Sequence, residues 1–123
     1  MELVPTKGKN LEEGQHTGVI TRIDYRETPY KYTDVIIEVS GQDGLERKYG
    51  CPTSAGIDSK LMRLLAKFTE VEEGKPVDIE KTLVGQNVKF MIQHEEKDDK
   101  SFDRVVENSV KPNQQVTEEK VSQ

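Results

Sequence analysis

"KYTDVIIEVSGQDGLERKYGCP", residues 31–52, reads as a β-hairpin. Its first half alternates cleanly. Thr33, Val35, Ile37 and Val39 share one face of an extended chain, and Tyr32, Asp34, Ile36 and Glu38 share the other. The first set has the composition of a core and the second that of an outer surface. "SGQDG" supplies Gly41 and Gly44 at a tight reversal. "LERKYGCP" then returns as the partner strand until Pro52, which has no N–H to give to a ladder.

Upstream, "HTGVITRIDYRE" (16–27) is rich in β-branched residues and is the first strand. Its parity conflicts: Val19, Thr21 and Ile23 share one face, while Ile20 falls on the other with Arg22 and Asp24. A bulge reconciles the two halves, and Gly18 is a position for a bulge or bend. "ETPY", with Pro29, turns the chain into the hairpin. Downstream, Ile57, Leu61, Leu64, Leu65 and Phe68 repeat at the spacing of one helical stripe, with Asp58 or Ser59 as the cap. Lys60, Arg63 and Lys67 then form a solvated face. A connector (69–86) leaves room for a helical turn at "DIEKTL". "NVKFMIQH" (87–94) is the fourth strand, "EEKDDK" a charged hairpin loop, and "SFDRVVENSV" (101–110) the fifth strand. The reading divides the chain into a flexible lead-in (1–11), one domain (12–112) and a disordered polar tail (113–123). Three strands, one helix and two strands are the order of the five-stranded OB barrel, an all-β fold whose helix lies between strands 3 and 4. Closure would remove the exposed edges of short strands. An open α+β sheet is the main rival.

A chain of 123 residues makes one domain with one modest core, since charged and hydrophobic residues each make up 33%. No apolar run approaches the roughly 20 residues that span a bilayer, and "MELVPTKGKNLEEG" has no apolar signal region. Cys51 is the single cysteine, which fits a reducing, cytoplasmic setting. The net charge of −5 argues against a strongly basic nucleic-acid binder and against many phosphate contacts on a duplex.

"TGVITRID", "PYKYTDVIIEV", "LERKYGCP", "SKLMRLLAKF", "VGQNVKFMI" and "RVVENSVKP" together resemble small OB-fold proteins of the single-stranded-DNA-binding type carried by phages, archaea and mobile elements. The resemblance spans residues 12–112 and lies in strand order and local texture. It implies a non-enzymatic protein that binds single-stranded nucleic acid, DNA before RNA, in replication, recombination or repair. One departure is the ending "TEEKVSQ", which lacks the acidic tip and terminal phenylalanine of the bacterial proteins.

The residues offer a matching surface. Single strands bind where rings stack on bases and cations track phosphates. Tyr30 and Tyr32 supply rings and Arg26 and Lys31 supply charge. Arg47, Lys48 and Tyr49 lie across the hairpin, with Phe102 and Arg104 on the fifth strand. The competing reading makes Tyr30 and Tyr32 the wrapping of a hairpin and Tyr49 core. A second functional reading uses the same tyrosine surface to bind a protein. Catalysis finds no constellation: His16 and His94 fit no ligand spacing, "EEKDD" lacks the pattern of a calcium loop, and there is no phosphate loop. No cofactor or metal is called for.

Overall fold

A computed structural model describes residues 11–42 and 44–113. Strand β1 (Gly14–Arg26) pairs antiparallel with β2 (Tyr32–Val39), and β2 with β3 (Glu46–Pro52). Helices α1 (Lys60–Leu65) and α2 (Ile79–Leu83) follow, then β4 (Asn87–Lys97), β5 (Lys100–Val105) and the two-residue β6 (Lys111–Pro112). The sheet runs β3-β2-β1-β4-β5, and β6 adds to β4. The expectation of five strands and one helix is thus corrected to six strands and two short helices among the described residues; the all-β character stands.

The parity conflict in β1 resolves as a bulge. Ile20 pairs with Ile37 and Arg22 with Ile36, so Thr21 is the extra residue. Before it, Gly18 and Ile20 face inward; after it, Ile23 does. Gly18 is not the bulge. It pairs regularly with Val39 and Val88, and its lack of a side chain serves close approach. A Cβ there would lie 2.5 Å from the Glu38 carbonyl oxygen and 2.7 Å from Ile37 Cγ2.

The inner faces bring Ile20, Val35, Ile37, Val39, Val88, Phe90 and Ile92 together, and Tyr49 and Cys51 join them from β3. Leu61, Leu64 and Leu65 of α1 cap this core, with Leu83 of α2 beside them. Burying each leucine contributes about 1.5–3 kcal/mol. Ser59 caps α1 by accepting the Met62 N–H at 3.1 Å. The helix is shorter than its apolar stripe. After Leu65 the chain tightens into i→i−3 turns, Lys67 to Leu64 and Phe68 to Leu65, so Phe68 still packs on the core. Ile57 lies outside the helix and is 44% exposed. The supposedly solvated lysines of this region are engaged: Lys60 donates to Gly50 O at 2.8 Å, and Lys67 to Asn108 O at 2.7 Å.

The two ends of the ladder, β3 and β5, point the same way, because each lies an even number of antiparallel steps from β1. Side chains join them. Arg47 donates from Nε and Nη2 to the two oxygens of Asp103, both at 2.7 Å. Tyr49 Oη accepts the Asn108 N–H at 2.8 Å. Asp103 also accepts the Leu11 N–H at 2.6 Å, and the ring of His94 meets Leu11 O at 2.6 Å. Leu11, read as part of the lead-in, is therefore buried and anchored. The rest of that lead-in (1–10) and the tail from 114 lie outside the described residues.

Candidate nucleic-acid interface

The outer face of β1–β3 is a small grid set by register. Arg26, Tyr32 and Pro52 form one row; Asp24, Asp34 and Gly50 the next; Arg22, Ile36 and Lys48 the third. Gly50 makes the middle row possible. A Cβ there would stand 2.9 Å from Asp34 Oδ1 and 3.5 Å from the Tyr32 ring. With that space open, the side chain of Asp34 is 4% exposed and receives Arg26 in a bidentate pair at 2.6 and 3.0 Å. The Arg26 guanidinium then lies 4.7 Å from the centre of the Tyr32 ring. Its hydrogen bond to Asp34 raises its pKa, so its charge is secure. Arg22 pairs with Asp24 at 3.3 Å and with Glu46 at 2.9 Å, lowering the negative charge of the lower rows.

The β1–β2 turn carries the most open ring. Tyr30 is 72% exposed, and Lys31 beside it is exposed. The Lys31 carbonyl accepts the Thr53 N–H at 3.0 Å, which extends the β2–β3 ladder and steadies this end of the turn. The structure thus gathers Arg26, Tyr30, Lys31 and Tyr32 at one end of the grid, with Lys48 exposed two rows away.

Arg47 and Tyr49 belong elsewhere. Their parity on β3 turns them inward, to the seam and the core. Tyr49 is 3% exposed, and Lys60 Nζ sits 4.5 Å from its ring centre. Burial raises the pKa of the Tyr49 hydroxyl. Phe102 and Arg104 are also apart from the tyrosine cluster in the strand order. They share the outer face of a β4–β5 arm that runs beyond the last β1 partner, Ile92 opposite Gly14. The arm is longer than the charged loop expected there, since the strands continue to Lys97 and Lys100. It turns on Asp98 and Asp99, both in left-handed backbone (φ 55° and 63°). Phe102 is 48% exposed, and Arg104 pairs with Glu95 at 3.3 Å.

Three residues that hold this surface or the β3–β5 contact were not candidates in the sequence. Asp34 had only its place on the face with Tyr32. Asp103 had no signal at all. Gly50 had one, since a glycine inside a strand marks close approach. The groups considered for chemistry have structural partners: His16 meets Glu12 O at 2.7 Å and His94 meets Leu11 O. Cys51 is buried, and burial pushes its thiol up to about 11, far from a reactive thiolate. Among the described residues no group of His, Cys, Asp or Glu could hold a metal, and no helix is long and apolar enough to cross a membrane. The chain matches no protein-family model and no curated protein.

Proposed function

We propose that this chain is a cytoplasmic OB-type barrel protein that binds single-stranded nucleic acid, DNA before RNA, without catalysis, in replication, recombination or repair. In this reading the ladder β3-β2-β1-β4-β5 closes where Arg47 and Tyr49 meet Asp103 and Asn108. The likeness to phage, archaeal and mobile-element proteins of this type is part of the same proposal. One observation carries the binding role: Tyr30, in the turn that leads into Tyr32 of the Arg26–Tyr32 stack, is 72% exposed. A ring that open costs nothing to present to a base. Tyr30 stacks one base, and the Arg26–Tyr32 unit offers a second, cationic platform. Lys31 and Lys48, for which no ion pair is found among the described residues, meet phosphates on either side.

A titration of labelled oligo-dT at two salt concentrations tests this. Saturable binding that weakens with salt supports it, and no binding at low salt ends it. The chain has four tyrosines and no tryptophan, so stacking should also quench intrinsic emission. A second reading has the same face bind a protein. Its support is the Glu38–Glu46 pair, two carboxylates opposite each other at the far end of β2–β3, which repel phosphate. Under that reading the oligonucleotide fails while a protein ligand protects Tyr30.

A further inference from the structure

The loop after β3, helix α1 and the α1–α2 connector surround an apolar groove of about 650 Å³. Its walls concentrate the incompletely covered part of the core. Seven apolar residues pack against the core while staying partly exposed, and four of them, Met62, Val71, Val77 and Ile79, line this groove. Ile57, 44% exposed, stands at its edge. Apolar surface left open in one place marks an interaction site more often than scattered exposure does.

The rim has a sign. Glu72, Glu73 and Lys75 line the groove, and from Thr69 to Asp78 the connector adds Glu70 and Asp78 with no further cation. Lys75 is already held by Glu72 at 2.9 Å, and Asp78 caps α2 through the Lys81 N–H at 3.0 Å. Glu73 lines the groove with no ion pair found among the described residues. The cations of α1 are directed elsewhere: Lys60 to Gly50 O, Arg63 to Asp58 O and Glu107. Apolar walls under an acidic rim reject phosphate and suit a cationic amphipathic segment.

We propose that this groove docks an amphipathic helix of a partner protein whose apolar anchors are flanked by Lys or Arg. The anchors occupy the space between Met62, Val71, Val77 and Ile79, and the flanking cation meets Glu73. The groove shares no lining residue with Arg26, Tyr30, Lys31 and Tyr32, so a partner and a nucleic-acid strand would use different side chains.

The test is a methyl NMR titration of the full chain with two synthetic helical peptides. Both carry the same leucine ridge; one is flanked by lysines and the other by glutamates. The lysine peptide should shift the methyls of Ile57, Met62, Val71, Val77 and Ile79, and the glutamate peptide should bind at least about tenfold more weakly. Glu73→Lys should narrow or reverse that preference. Ile57→Glu, at an exposed position, should weaken binding with no change in melting temperature. Equal affinity for both peptides, or no shift at these methyls, overturns the proposal. So does a concentration-dependent dimer of the chain alone that uses these methyls. Oligo-dT should leave the groove methyls in place, and loss of oligo-dT binding alone would strike only the function proposed for the tyrosines.

Discussion

Single residues divide between those that hold the face and those that present it. Tyr30 presents. Replacing it with Ala should weaken oligo-dT binding by about 1–3 kcal/mol and leave the melting temperature unchanged, because its ring is mostly in water. Fluorescence titration and a thermal melt of the same sample check both halves. Gly50 holds. Gly50→Ala puts a methyl 2.9 Å from Asp34 Oδ1 and should dislodge the Arg26 pair, lowering stability and affinity together. Asp103 gives a pH signature. Burial opposes its ionisation, but hydrogen bonds from Arg47 and from the Leu11 N–H outweigh this. Its carboxyl is held below the ordinary value of 3.8. A carboxylate with a depressed folded pKa contributes stability above its unfolded pKa and loses it as pH falls through the folded value. Asp103→Asn should therefore destabilise at neutral pH, and its gap to the parent protein should narrow in acid, below about pH 4. Urea unfolding at the two pH values reads this directly. A constant gap would mean that Asp103 acts through shape alone.

Elements show where local pattern was enough. Helix α1 was legible because Leu61, Leu64 and Leu65 fall on one stripe, and all three are buried. Leu64→Ala should cost about 2–5 kcal/mol in chemical unfolding, since Leu64 is 2% exposed beneath the sheet. The bulge in β1 was legible because its apolar residues change parity, and only an extra residue lets both halves face one core. The boundaries were less legible. The stripe runs to Phe68, while regular helix stops at Leu65 because i→i−3 turns bury the same side chain as well as another helical turn would. The acidic run 95–99 reads as a loop by composition. Glu95–Lys97 form strand, with only Asp98 and Asp99 in the turn, because β5 supplies a ladder partner from Lys100 onward, and cross-strand bonds override low strand propensity.

At the scale of the whole molecule, one ion pair joins the two ends of the sheet. Arg47→Ala leaves Asp103, with its side chain 5% exposed, without its bidentate partner. The loss should be about 3–5 kcal/mol. It should also loosen β5 and Leu11 together, because Asp103 holds both. Faster amide exchange at Leu11 and along β5, with β1–β2 protected, is the expected result; uniform loss would show that the seam is not a local latch. With a net charge of −5 and few unpaired cations on the tyrosine face, oligonucleotide affinity should fall only gently with salt, by the slope of about two phosphate contacts. Alternation, stripe spacing and turn glycines are local properties of the chain, so the sequence by itself determined the meander, the first helix, the bulge and the inward residues of β2. Which charges are spent was decided in space. Arg26, Arg47 and Lys60 look alike as cations in the sequence, yet their partners Asp34, Asp103 and Gly50 O lie 8, 56 and 10 residues away. An ion pair depends on distance between side-chain tips after folding, and nothing in the order of residues fixes that distance until the strands are in register.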